Sequence, residues 1–387
     1  MEIKLANKIN QKKGNTFVFL EILSREGGIQ SYVRDIFQAY QDLTNSTNAS
    51  DSVLDTDILL LRDGLECENP YQSKNINFYY LKTQPLWLGR FRLAAKLLWC
   101  LLKKQPQQVF CGHINLAPLV QILCVPLGIP YTVLTYGKEV WEPLPNKYQQ
   151  ALKQAARILT ISRYSRDRCC ENNHLDQEKF QLLPCMVDEN TFIPQPKPKD
   201  LIERYNLEGA KVLMTVARLW SGDPYKGVDV TIRALSKILQ IFPEVKYLVI
   251  GRGDDQPRLA KLAQDLGVEK QVIFAGFVPT EDLVRHYQVA DAYVMPSQEG
   301  FGIVYLEAMA CGIPVLSGDA DGSADPLQDG KLGWRVPYRD PEAVTNACIE
   351  MLKGEDRRSD GNWLREESVK VFGRVAFTKR VKQLLDL

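Results

Sequence analysis

Apolar residues along this chain gather in short runs rich in Val, Ile, Leu, Phe and Tyr, separated by stretches whose apolar positions recur at helical spacing. The runs predict strands at 16–23, 57–62, 76–81, 108–114, 131–136, 157–162 and 180–184 in the first half, and at 211–219, 246–251, 272–277, 292–296, 314–317 and 333–336 in the second. Runs this continuous, alternating with helices, predict parallel sheets covered on both faces. The stretch 188–199 carries Pro194, Pro196 and Pro198 and reads as a stiff linker between two similar domains, 1–192 and 193–371. An amphipathic tail, 372–387, is expected to pack back on the first. The longest apolar stretch, 116–134, approaches membrane-spanning length but is broken by Pro118, Pro126, Gly128 and Pro130, which predicts a helix followed by a buried strand.

Composition narrows the class. The 387 residues are 45% hydrophobic and 25% charged, enough apolar material for a sizeable core. A net charge of +1 lacks the basic excess of a nucleic-acid binder. The nine cysteines form no C-x-x-C pair and accompany only three histidines, which argues against structural zinc and for a reducing, cytoplasmic compartment. The first fourteen residues are polar and lysine-bearing, without the apolar core of an export signal, so the sequons at Asn45 and Asn48 read as chance matches.

In doubly wound sheets ligands bind beyond the carboxyl ends of strands. The segment from Pro296 to Val315 reads as a strand end, a glycine loop, a helix, a glycine stop and a strand. Gly300 and Gly302 allow close backbone approach to a ligand. The helix starting near Ile303, just after Phe301, turns amide donors and a positive dipole end toward an anion. Glu299 and Glu307 lie a little over two helical turns apart, so both can serve one elongated ligand, accepting from sugar or ribose hydroxyls. Arg218, in Val216-Ala217-Arg218-Leu219, and Lys226, before Gly227, carry charges suited to a diphosphate.

The Glu299–Glu307 segment resembles the carboxylate pair, Glu then seven residues then Glu, of retaining glycosyltransferase family 4. The resemblance covers nearly all of the C-terminal half and, more weakly, the N-terminal half. It implies two doubly wound Rossmann-like α/β domains facing each other across a cleft, the B-type glycosyltransferase fold. It further implies Glu299 near the donor sugar, Glu307 on the nucleotide ribose, the Phe301–Ile303 backbone near sugar and phosphate, and Arg218 and Lys226 on the diphosphate. Gly251 and Gly253 resemble the family's Gly-x-Gly turn beside the nucleotide, and the 274–279 segment resembles the one bordering the base; a purely structural turn explains both equally well. Arg25-Glu26-Gly27-Gly28 resembles the family's first glycine loop. His113 stands where the family often has a histidine facing the donor sugar, and a buried structural histidine is the alternative. Tyr136 replaces a histidine of some relatives. Ser162 and Ser165 resemble a serine pair of the family and also suit a helix cap. After Ser317 the family's glutamate is missing, while Asp329-Gly330 and Gly333 persist.

Two Asp-x-Asp sets, Asp55/Asp57 and Asp319/Asp321, resemble the metal signature of the other glycosyltransferase fold. The first lies at a strand start, the wrong end. With Arg218, Lys226 and a helix start available, no metal is expected. The 87–104 stretch sets Arg90, Arg92, Lys96, Lys103 and Lys104 among Trp87, Phe91, Leu98 and Trp99, which suits either an anionic membrane surface or a helix covering the first sheet.

The reading is a retaining hexosyltransferase that moves sugar from a UDP- or GDP-sugar to a glycan or lipid-linked acceptor, peripheral on the inner face of the cell membrane. The alternatives are a nucleotide-sugar epimerase of the same fold and a non-catalytic nucleotide-sugar-binding or membrane-surface protein.

Overall fold

A computed structural model describes residues 14–25, 27–46, 55–73, 75–222 and 226–385; the Asn48 sequon, Glu26 and Tyr225 lie outside them, as does the Asn45 side chain. The chain divides into two compact units, residues 1–183 with 378–387, and residues 184–377.

The first unit holds a sheet of seven parallel strands: β1 (Thr16–Phe19), β2 (Thr56–Leu60), β3 (Ile76–Tyr80), β4 (Val109–Cys111), β5 (Tyr131–Thr135), β6 (Arg157–Thr160) and β7 (Phe180–Leu182), in the order β3-β2-β1-β4-β5-β6-β7. The second holds six: β8 (Lys211–Val216), β9 (Val245–Ile250), β10 (Val272–Gly276), β11 (Ala292–Met295), β12 (Val315–Gly318) and β13 (Trp334–Val336), in the order β10-β9-β8-β11-β12-β13. Every pairing between these strands is parallel. Helices cover the sheets, so β1, β4, β5 and β11 are buried along their whole length and β8 at all but its end residues, as their apolar runs require.

All thirteen predicted strands are present. Most stop short of the apolar run that announced them, because the last residues of each run leave the sheet to form the loop above it. The run 108–114 gives a strand of only three residues, and Gly112-His113-Ile114 belongs to its exit loop. The 116–134 stretch folds as expected into helix Ala117–Cys124, a short turn and β5. Among the described residues no helix is long and apolar enough to cross a membrane.

The division between units falls earlier than the expected boundary after 192. The proline-bearing stretch packs within the second unit: the Arg365 guanidinium, on helix Gly361–Phe372, donates to the carbonyls of Glu189 (2.7 Å), Phe192 (2.5 Å) and Ala310. Val187 N donates to Phe372 O at 3.0 Å, so the outgoing and returning chain segments lie side by side. The return to the first unit comes at Thr378, within helix Arg374–Leu384.

Candidate functional site

Strand order reverses at one place in each sheet, between β1 and β4 and between β8 and β11. Loops leaving the paired strands in opposite directions open a crevice there. The candidate residues after β1, β4, β8 and β11 cluster at these two reversals.

In the second unit the loops after β8 and β11 meet. Gly227 has φ +74°, and a Cβ there would stand 2.5 Å from Pro296 O, so backbone touches backbone. This contact brings Lys226 beside the acidic loop: its Nζ lies 2.5 Å from Glu299 Oε1, with both side chains about one-fifth exposed. Arg218 lines one crevice together with Lys226, its guanidinium over the Trp220 ring. The acids in that crevice wall are neutralised in place, Asp229 by Arg339 and Asp255 by a two-pronged contact with Arg258. Arg218, Lys226 and Arg258 thus share this crevice wall with Asp229 and Asp255, while Glu299 holds Lys226 from the loop beside it.

Gly302 precedes helix Ile303–Ala310 and gives it no side-chain cap. The first amides of a helix have no partner within it, so this end presents donors and a positive dipole. Glu307 sits on the same helix, half-buried, and accepts from the Tyr287 hydroxyl at 2.7 Å. Burial pushes its carboxyl up to about 7. Tyr293 ties the two acids to one locale: burial raises its phenol first, and the charges of Glu307 and Glu299 add to the rise. The same hydroxyl receives Val216 N at 3.3 Å, just ahead of Arg218. Arg218, Lys226, Glu299 and Glu307 are thus brought together, with Gly300, Phe301 and Ile303 in the loop and helix start between the acids. The Phe301 ring points inward onto Phe372, and the residue is buried.

Gly251 and Gly253 have a structural reason to be glycine. A Cβ at Gly251 would stand 1.8 Å from Ala217 O, and one at Gly253 1.8 Å from Leu219 O. Their turn braces the strand end that carries Arg218, with Leu219 N donating to Arg252 O at 3.1 Å.

In the first unit, Gly28 begins helix Gly28–Ser46, and a Cβ there would meet nothing within 4 Å. Packing does not demand glycine at 28. A Cβ on Gly27 would press only on the flexible Gln30 side chain. His113 Nδ1 accepts from Asn115 N at 3.1 Å, capping a short helical turn. The bond fixes the neutral ring as the Nε2–H tautomer. Burial, helped by the Arg62 charge, brings its pKa down to about 4. Tyr136 is a buttress of the His113 loop, its hydroxyl donating to Gly112 O at 2.7 Å. Ser162 is the helix cap, accepting from Ser165 N at 3.1 Å.

Two carboxylates that sequence reasoning missed organise these loops. Asp63, fully buried, accepts from Ile22 N (2.7 Å) and Ser24 N (2.8 Å) and holds the loop leading to Gly27. Asp321, which the sequence offers only as a metal ligand, accepts from Glu299 N. Asp55 and Asp57 share Lys104, at 3.1 and 2.6 Å. Among the described residues no group of three or more His, Cys, Asp or Glu side chains is arranged to hold a metal ion.

Residues 189–362 match the family described as "Glycosyl transferases group 1". A monoacylated phosphatidylinositol monomannoside mannosyltransferase of Corynebacterium glutamicum, GDP-mannose-dependent, is 30% identical over 351 residues, 87% of each chain. A GDP-mannose-dependent phosphatidylinositol monomannoside mannosyltransferase of Mycolicibacterium smegmatis is 35% identical over 56% of this chain, and the match spans 59% of that enzyme's length. Among solved structures, Anabaena Alr3699/HepE in complex with UDP superposes with a TM-score of 0.77 at 19% identity, covering 96% of this chain and 99% of that one. Sucrose-phosphate synthase from Thermosynechococcus elongatus gives 0.72 at 20% identity, covering 97% and 98%. At these identities the likeness speaks for the fold, a two-domain α/β chain with parallel sheets as in B-type glycosyltransferases.

Proposed function

The chain belongs to the group 1 glycosyl transferases, and from that membership we propose that it moves a hexosyl group from a UDP- or GDP-sugar, with retention as in glycosyltransferase family 4, to a glycan or lipid-linked acceptor. One observation carries the proposal: a lysine and a glutamate from different strand ends, Lys226 and Glu299, pair at the β8–β11 reversal beside Arg218, Glu307 and an uncapped helix start.

In this reading Arg218, Lys226 and the amides before Val304 take the diphosphate. Charge-assisted bonds of this kind contribute about 1.5–3 kcal/mol each and count most as the leaving group gains charge. Diphosphate arriving at Lys226 draws it from Glu299, whose carboxylate then serves the sugar hydroxyls. Glu307 takes the ribose. The acceptor oxygen forms its bond to the anomeric carbon as the bond from that carbon to the phosphate oxygen breaks. The acceptor's proton passes to the departing phosphate on the same face, so no enzyme nucleophile is required. The cations and helix start supply the neutralisation that a metal supplies elsewhere. His113 carries an Nε2–H able to donate to a sugar hydroxyl.

A lipid-linked acceptor is supported by the names of the corynebacterial and mycobacterial relatives. It is supported also by helix Leu86–Lys103, where Trp87, Phe91 and Leu102 stand exposed beside Arg90, Arg92 and Lys103. Such a face suits peripheral attachment to an anionic membrane.

Thermal-shift measurement with UDP, GDP and ADP tests the donor site, since a ligand that binds only the folded chain raises its stability. Glu299→Ala is expected to abolish transfer. Conversion of the nucleotide sugar to an epimer without any acceptor would replace this reading with the epimerase one.

A further inference from the structure

The acidic loop is glycine-rich on both sides of Glu299's partner segment, with Gly300 and Gly302 in one loop and Gly318 and Gly322 in the other. Glycines leave a backbone many conformations, so whatever fixes the loop decides where the Glu299 carboxylate points. The second loop supplies that fixture. Asp321 Oδ2 accepts from Glu299 N at 2.6 Å, and Glu299 O accepts from Gly322 N at 2.8 Å. Asp321 Oδ1 accepts from Ser323 N at 2.9 Å, and the Ser323 hydroxyl, which also lies 3.1 Å from Gly318 O, reaches the same oxygen. Glycine is what lets the two loops close together: a Cβ on Gly322 would stand 2.0 Å from Gly300 O, and one on Gly318 2.4 Å from Ser297 O. Asp321 is itself 3% exposed, so its bonds do not compete with water.

We propose that Asp321 is a positioning residue for the donor sugar, aiming Glu299 by holding its main-chain amide in place once Lys226 has turned from the carboxylate to the diphosphate. The inference rests on the donor-site reading above. Bonds from an amide to a carboxylate are roughly twice as strong as neutral ones, so a single residue suffices to hold the amide. The segment that looks like half of a metal signature is then occupied with protein amides.

The position predicts a specific defect. Arg218, Lys226 and Glu307 hold the nucleoside diphosphate, whereas Glu299 addresses the sugar. Asp321→Asn is therefore expected to leave UDP or GDP affinity within about twofold while lowering the affinity for UDP-glucose or GDP-mannose at least tenfold. The measurement is calorimetric titration of the full chain with both diphosphates and both nucleotide sugars. It is made for Asp321→Asn, Asp321→Glu, Glu299→Ala and the double variant Asp321→Asn/Glu299→Ala. Because Asp321 acts through Glu299, the Asp321→Asn effect is expected to vanish in the Glu299→Ala background. Equal losses in both backgrounds, or equal losses of diphosphate and nucleotide sugar, would overturn the proposal and leave Asp321 a stabilising residue only. Asn keeps the volume and half of the acceptors, so it carries the measurement if Asp321→Glu does not fold. The donor-site reading fails separately, if Glu299→Ala itself leaves nucleotide-sugar affinity and transfer unchanged.

Discussion

Lys226 and Glu299 come from loops more than seventy positions apart, yet Nζ and Oε1 lie 2.5 Å from each other where the second sheet reverses its strand order. The pair is partly shielded, so neither charge is dissipated into bulk water as a surface pair's would be. Removing the lysine leaves Glu299 without this cation and the diphosphate without one of its partners. Lys226→Met is expected to weaken UDP or GDP binding by about 10- to 100-fold. Glu299→Gln, which keeps the lysine and releases it from its carboxylate, should strengthen diphosphate binding while slowing transfer. Calorimetry on the two variants decides this; weaker diphosphate binding by Glu299→Gln would contradict it.

Glu307 sets a pH dependence of known sign. Its carboxyl titrates at about 7 in the folded chain, against an ordinary value of 4.5, because burial disfavours the charge. Between those values the folded state holds a proton that the unfolded state has released, so stability falls as pH rises from about 4.5 to 7. Glu307→Gln removes the effect. The variant should match the parent near pH 4 and be more stable by about 1–3 kcal/mol at pH 8. In the parent, nucleotide affinity should rise with pH through the same region, as the ionised carboxylate becomes available to ribose hydroxyls. Denaturation and titration series at pH 5, 6.5 and 8 check both; a Glu307→Gln protein less stable than the parent at pH 8 would count against buried charge as the cause.

The strands and the four site residues are legible in the sequence because each depends on local pattern. Strands buried on both faces need unbroken apolar runs, and the proposed diphosphate site rests on side chains whose charge is visible in the sequence. What stays hidden acts through the main chain. Asp63 and Asp321 work by accepting from amides of Ile22, Ser24 and Glu299, and an amide leaves no letter in a sequence. The proline-bearing stretch reads as a linker for the same reason. Its prolines are local, whereas Arg365, whose guanidinium fixes its carbonyls to the second unit, lies far along the chain. Gly251 and Gly253 are ambiguous in the sequence, and only the carbonyls of Ala217 and Leu219 beside them give the reason for glycine.

His113 should behave as a fixed hydrogen-bond donor and not as a titrating acid or base. Its pKa lies at about 4, below the ordinary 6.5, because burial and Arg62 disfavour the cation. The folded chain therefore lacks a proton that the unfolded chain binds between those values, and stability rises with pH across that window. His113→Ala removes both the cap on Asn115 N and the Nε2–H, at a cost of about 1 kcal/mol in stability. Transfer should slow by about three- to tenfold. The imidazole should show no titration above pH 5.5 by NMR, and a midpoint near 6.5 would show that the ring is solvated and not held as described.

Helix Leu86–Lys103 carries two apolar faces, one buried and one exposed. Leu93, Leu97, Cys100 and Leu101 are buried against the first sheet. Trp87, Phe91, Leu98 and Leu102 fall on an adjoining strip at helical spacing and are exposed, and Ile122 is exposed on the neighbouring helix that packs beside it. Lys96 lies 3.8 Å from the Trp99 ring and 3.7 Å from Tyr79, so one cation of the helix is engaged with aromatic faces. The outward Arg90, Arg92 and Lys103 add about 1 kcal/mol each near an anionic surface, and each large apolar side chain about 1.5–3 kcal/mol when buried. Trp87→Ser/Phe91→Ser should therefore reduce co-sedimentation with phosphatidylglycerol vesicles by at least tenfold. UDP or GDP affinity and thermal stability should stay unchanged, since neither residue contributes to the core. High salt should weaken the parent's binding, and phosphatidylcholine vesicles should retain it poorly. Undiminished sedimentation of the double variant would remove this strip from any role at a membrane and restrict the helix to covering the sheet.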